Sequence, residues 1–216
     1  MKWKEFLQDK YFRNEVIITS IVFAIVLSCF TLFLNYNESR TGITLADPIL
    51  HFFKPIDLTW LTFIIIYLSV VLGIIFLSQN PKTLIFALQA YSLLLLIRVM
   101  MMFLLPLNPP VGMIPLNDPL VQNFGSGKIL TKDLFFSGHT ATIFMLYLVV
   151  ENKLYNKLFL VLTLVVGVSL LLQHVHYAID VVAAPFFAYL SYRLVFLLQT
   201  KKLKKPLFMA GGQINE

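Results

Sequence analysis

Residues 16–34 read VIITSIVFAIVLSCFTLFL, a run with no acidic or basic side chain. A helix needs about 20 mostly apolar residues to cross the hydrocarbon core of a bilayer. Five more stretches of this kind follow, at residues 58–77, 83–105, 137–150, 158–173 and 179–198. The fourth and fifth are short or carry polar ends. Composition agrees with the pattern: 58% of the 216 residues are hydrophobic and 13% are charged, where soluble domains carry roughly 25% charged residues. The short alternating segments of a membrane β-barrel are missing. The fold class that follows is all-α, an integral membrane bundle of six transmembrane helices.

The net charge of +6 follows topology and does not call for a nucleic-acid partner. With six spans, Lys2, Lys4, Lys10, Arg13, Lys82, Lys153, Lys157, Lys201, Lys202, Lys204 and Lys205 share one side, against Arg40, Lys54, Lys128 and Lys132 on the other. The positive-inside rule then puts both termini in the cytoplasm. The chain divides into a cytoplasmic segment 1–15, a membrane domain 16–198 and a basic cytoplasmic tail 199–216. The loop 106–136, His139 and His176 fall on the outer, exoplasmic side. That loop is rich in Pro and Gly and is expected to pack partly against a site rather than act only as a linker. The single Cys29 excludes an internal disulfide. Val26-Leu27-Ser28-Cys29 has a faint similarity to a lipoprotein signal, but the apolar run continues through Leu34 and reads as a full span.

Two motifs break the apolar pattern: Ser137-Gly138-His139-Thr140 and His176-Tyr177-Ala178-Ile179-Asp180. Ionisable groups are costly in hydrocarbon, so a His/His/Asp set at span edges is a functional-site hypothesis. His176 and Asp180 are four apart and would share a helix face. The carboxylate could fix the imidazole tautomer and leave the other nitrogen free to attack; the bland alternative is a His/Asp pair capping a helix end. His174, six residues from Asp180, would point elsewhere. Ser137 can cap the fourth helix, Gly138 permits close backbone approach, and the N-termini of the fourth and sixth helices could converge on one phosphate. His139 would be the second acid–base group, or else an interfacial His beside a Ser-Gly cap.

Arg98 lies inside the third span and needs an anionic partner. The partner is a substrate phosphate or Asp180, or the arginine is tied to carbonyls for structure alone. Arg193 reads as an interface anchor. Asp133 either meets a cationic head group or shapes its loop. His51 has no visible partner, and Glu38, Asp47, Asp57 and Asp118 read as loop solvation. No Cys/His cluster has zinc spacing, His174 and His176 offer only two nitrogens, and no Gly-rich nucleotide loop follows a strand. No metal and no cofactor are expected.

Phe136-Ser137-Gly138-His139-Thr140 and His174-Val175-His176-Tyr177-Ala178-Ile179-Asp180-Val181-Val182 together resemble the sphingomyelin synthase-related branch of the type-2 phosphatidic acid phosphatase superfamily. Asp133 matches that branch, as does Arg98 followed by Leu105-Pro106-Leu107-Asn108-Pro109. The resemblance covers roughly residues 90–195. It implies a six-helix membrane bundle with its site at the outer face, and transfer of a phospho-head group through a phosphohistidine. His176 would attack phosphorus, Asp180 would orient it, and His139 would protonate the leaving alkoxide. Asp133, Ser137, Gly138, Arg98 and Tyr177 would contact substrate. The partners would be a membrane phospholipid donor and a lipid alcohol acceptor, ceramide or diacylglycerol. Two departures bear on the reading. The Lys-rich first motif of the broader phosphatase family, ending Arg-Pro, is absent, and Ser169-Leu170 stands where that family has Ser-Arg. Both favour the transferase branch over the alternative, a lipid phosphate phosphatase using water. A transporter or non-catalytic scaffold is the third reading, and it leaves two histidines at one membrane edge unexplained.

Overall fold

Helix boundaries follow the capping residues. Asp9 accepts the Tyr11 amide, Asp57 accepts the Thr59 amide, and Asn152 accepts those of Leu154 and Tyr155; each satisfies a donor that the first turn of a helix leaves without a partner. Pro81 opens a helix at a position where its missing N–H costs nothing. The computed structural model describes residues 2–117 and 129–209. Asp118, Lys128 and the end of the basic tail, 210–216, lie outside the described residues. Among the described residues there are seven α-helices: α1 (Lys2–Gln8), α2 (Lys10–Ser39), α3 (Thr59–Ser78), α4 (Pro81–Leu104), α5 (Gly138–Val149), α6 (Lys153–Leu172) and α7 (Ala178–Met209). The described residues contain no strand, and one isolated parallel bridge pairs Ile43 with Leu107.

Helices α2 to α7 alternate in direction, as the contacts at their ends show. At the near end, where α2 begins, Trp3 Nε1 donates to the Ser78 carbonyl (2.7 Å), Gln89 donates to Glu15 (3.1 Å), Thr83 donates to Glu151 (3.4 Å) and Gln199 donates to Gln89 (2.9 Å). At the far end, Arg40 donates to the carbonyls of Met102 (3.3 Å) and Phe103 (3.0 Å). There the buried Gln173 accepts the Leu58 amide and donates to Thr59 and to the Ile114 carbonyl. Both motifs singled out in the sequence sit at this far end.

Five helices, α2, α3, α4, α6 and α7, are long and apolar enough to cross a membrane. The fourth expected span is the shortest. Helix α5 has 12 residues, about 18 Å of rise against a core of about 30 Å. Its apolarity has another cause: Ala141 and Ile143 are fully buried, and the helix packs on α6 and α7. Helix α5 still runs from the far end, at Ser137, to the near end, where Glu151 meets Thr83, inside the bundle and wrapped by protein. Helix α2, by contrast, packs chiefly on α4 and leaves Ile17, Ile21, Ile25 and Leu32 exposed, as a lipid-facing surface requires.

Close backbone approach sets two contacts. A Cβ on Gly73 of α3 would stand 2.5 Å from Leu146 Cδ2 of α5, and one on Gly42 would stand 2.6 Å from the Leu107 carbonyl carbon. Leu146 is a flexible side chain, whereas Leu107 offers backbone that cannot yield without breaking the bridge at Ile43. Gly42→Ala is therefore expected to destabilise the protein by about 1–3 kcal/mol, read as a lower unfolding temperature in detergent, and more than Gly73→Ala does.

Candidate active site

The chain arrives at α7 through a tight turn at residues 173–177, so His176 precedes the helix and Asp180 lies in its first turn. The two are not on one helix face as the spacing implied, yet they meet. His176 Nδ1 lies 3.3 Å from Asp180 Oδ2, and both side chains are buried. The same oxygen accepts the Tyr177 amide at 3.1 Å, the reach-back by which an acidic residue at the third helical position serves a helix start. The pair is thus a capped helix end and an oriented imidazole together. A carboxylate that receives Nδ1–H leaves Nε2 with its lone pair.

Helix α5 brings the second ring. The Ser137 hydroxyl accepts the Thr140 amide (3.4 Å) and pairs with the Thr140 hydroxyl (3.1 Å), and the Ser137 amide donates to the Asp180 carbonyl at 3.1 Å. That last bond joins the beginnings of α5 and α7. His139, on the first turn of α5, then meets His176 edge to face with ring centroids 6.4 Å apart, and its other side meets Phe63 of α3 at 6.3 Å. Both histidines line one cavity of about 200 Å³, shared with Asp133, Leu34, Phe63 and Leu130. Met113, Leu116, Ile129 and Thr131 line it too, so the described parts of the 106–136 segment pack against the site as expected.

Arg98 does not reach Asp180. Its Nη2 lies 2.5 Å from Asp133 Oδ1, its Nε donates to the Phe136 carbonyl at 3.1 Å, and its guanidinium faces the Phe30 and Phe136 rings. This contact also explains Gly138, where a Cβ would lie 2.3 Å from Arg98 Nη1. The glycine makes room for the arginine, and Asp133 shapes its loop through the same ion pair while lining the cavity. Ser137 acts as a cap, its hydroxyl oxygen accepting from the Thr140 amide and hydroxyl.

Tyr177, expected to contact substrate, has its hydroxyl in loop contacts. Its hydroxyl accepts the Leu45 amide (3.2 Å) and donates to the Asn108 carbonyl (2.9 Å), tying two loops together on the far side of the turn from His139 and His176. Burial holds this hydroxyl above the ordinary tyrosine range, so it remains a donor.

Three carboxylates read as solvated have structural work: Asp57 at the start of α3, and two nearer the site. Asp47 accepts the Ala178 amide at 2.6 Å and the Ile49 amide at 2.9 Å, which occupies part of the α7 N-terminus that was expected to face a phosphate. Glu38, at the end of α2, accepts the amides of Thr131 (2.9 Å) and Lys132 (3.0 Å) and the Thr131 hydroxyl (2.5 Å). Asn37 adds a bond to the Lys132 carbonyl at 2.7 Å. This clamp fixes the segment that delivers Asp133. The only signal for it was an Asn-Glu pair at the end of an apolar run. No group of three or more His, Cys, Asp or Glu side chains among the described residues could hold a metal.

Residues 132–199 match the family model described as PAP2 superfamily C-terminal. The match contains Asp133, both histidines and Asp180, and it supports the PAP2-like superfamily without selecting a branch. No curated protein matches the chain.

The Arg98–Asp133 pair carries a direct expectation. Asp133→Ala leaves a buried guanidinium without its carboxylate and should cost about 3 kcal/mol. The double variant Arg98→Met with Asp133→Leu should recover most of that loss. Thermal unfolding of both variants in detergent tests it; an Asp133→Ala protein as stable as the parent would show that the pair carries no weight.

Proposed function

We propose that this multi-pass membrane protein is a lipid phosphotransferase that moves a phospho-head group from a phospholipid to a lipid alcohol through a phosphohistidine. The observation that carries the reading is the meeting of two imidazoles from different segments, 6.4 Å apart, one of them held by a buried carboxylate. In the first half-reaction His176 Nε2 attacks phosphorus. The N–P bond forms, the bond to the leaving alkoxide breaks, and His139 gives that oxygen its proton. In the second half His139 removes the proton of the incoming hydroxyl, whose oxygen takes the phosphoryl group as the N–P bond breaks. Asp180 keeps the Nδ1 proton throughout and stabilises the imidazolium character that builds as Nε2 bonds.

Charge and wall chemistry support transfer between lipids over phosphate hydrolysis. Among the described residues that line the cavity there is no Lys or Arg, and the adjacent Arg98 is already paired with Asp133. A phosphodiester brings one negative charge, whereas a phosphomonoester brings nearly two near neutral pH; the sparse positive charge suits the diester. Leu34, Phe63, Met113, Leu116, Ile129 and Leu130 make much of the wall apolar, a surface that suits a lipid alcohol and disfavours water. The Ser169-Leu170 departure agrees with the sphingomyelin synthase-related branch, and Leu170 is fully buried. In this reading the far end of the bundle faces the exoplasmic side, the near end with its lysines faces the cytoplasm, and residues 16–198 form the membrane domain. Needing neither metal nor nucleotide, turnover survives chelation.

Purified protein in nanodiscs with a head-group-labelled phosphodiester lipid and ceramide or diacylglycerol should yield a labelled product lipid. Release of free head group or inorganic phosphate alone, whatever alcohol is supplied, would sink the transferase reading. His176→Ala should abolish both turnover and the acid-labile adduct. His139→Ala should lower kcat by about 10²–10⁴-fold, and Asp180→Asn should slow both half-reactions while leaving the fold intact.

A further inference from the structure

A second cavity, of about 350 Å³, lies across the 173–177 turn from the first. Val175 and His176 line the first cavity, whereas His174 and Tyr177 line the second together with Asp47, Leu50, His51 and Val111. The phosphotransfer reading uses none of this second set.

His174 is the unusual member. It is only 6% exposed, and its backbone has φ 55°, in the left-handed region that non-glycine residues seldom occupy. Its Nδ1 lies 3.2 Å from the Val111 carbonyl. A carbonyl only accepts, so Nδ1 carries the proton, and in the neutral ring Nε2 is an acceptor. That Nε2 is buried with no hydrogen-bond partner among the described residues. Gly112, itself at φ 79°, lets the loop pass close to the ring, with its Cβ position 3.7 Å from Nδ1. An edge-on contact with Phe53 at 5.4 Å holds the imidazole from another side. A strained residue with an unmet buried acceptor is a place where a ligand completes the structure.

The other lining groups define that ligand. The Asp47 oxygens each accept one backbone amide and retain a further lone pair. The Tyr177 hydroxyl is committed to Leu45 and Asn108. His51 also lines the cavity, and among the described lining residues there is no Lys or Arg. The wall therefore offers acceptors and negative charge, which repels an anion. A primary ammonium supplies three donors, no acceptor and the opposite charge.

We propose that this second cavity is a binding site for a primary ammonium group, with His174 Nε2 and Asp47 as its acceptors. It stands independently of the phosphotransfer reading. The test uses the full chain with ¹⁵N-labelled histidine in phosphatidylcholine nanodiscs. Free ethanolamine is titrated at neutral pH in one arm, and phosphatidylethanolamine replaces part of the lipid in the other. The His174 Nε2 resonance should shift saturably in at least one arm. A shift with the free amine alone identifies a soluble ligand, and a shift with the lipid alone identifies a head group. Choline, which has no N–H, and inorganic phosphate should leave the resonance in place. His174→Asn, which tolerates the left-handed backbone, should weaken binding by at least about tenfold. His176→Ala should bind the amine as the parent does even as turnover is lost, which separates the two readings. An Nε2 resonance unmoved in both arms overturns the proposal, as does one moved equally by glycerol or choline; a buried water would produce the first result. The parent titration decides the matter even if the asparagine variant misfolds.

Discussion

Asp180 holds the site together through both its backbone and its side chain. Its carbonyl takes the Ser137 amide, and one carboxylate oxygen takes the Tyr177 amide and faces His176 Nδ1. The first contact ties the start of α5 to the start of α7; the second shapes the turn into α7; the third sets the direction of the ring. All three are buried, where hydrogen bonds gain strength and where leaving one unmade is expensive. The 6.4 Å approach of the two histidine rings is the geometric result of these bonds, because neither helix would otherwise know where the other begins.

Around that core runs a second set of constraints that converges on Arg98. The guanidinium is fixed by Asp133, by the Phe136 carbonyl and by two aromatic faces, and Gly138 is the residue small enough to lie against it. Asp133 is delivered by a segment that Glu38 and Asn37 hold from the end of α2. Helix α2 is otherwise the most loosely packed span, with 17% of its apolar window buried. Its contribution to the site is therefore made at its last turn, where polar groups can be satisfied, while its length remains free to face lipid.

The parts legible in the sequence were those that lipid makes conspicuous. His139, His176 and Asp180 stand out because a titratable group at the edge of an apolar run is costly unless it has work to do, and the structure brings all three together. Where the sequence left a choice, tertiary contacts made it: Arg98 pairs with Asp133 rather than Asp180, a contact between distant positions that no local spacing encodes. Asp47 and Glu38 were misjudged for a related reason. A side chain that caps a far-off amide has no periodicity, so it looks like loop solvation or, beside a motif, like part of it. Hydropathy does not say whether the apolar residues of α5 meet lipid or protein; its 12-residue length and buried Ala141 and Ile143 set it apart from the five long apolar helices.

The depth of the two histidine rings has its own significance. Arg98 lies six residues before the end of α4, about 9 Å along the helix axis, and the first turn of α5, which carries His139, abuts it. The candidate site is thus recessed by nearly two helical turns from the end of α4. A charged group that travels to those rings gives up hydration that it would keep at the rim. Selection at such a depth acts first on how readily a molecule sheds its water, and only afterwards on its shape.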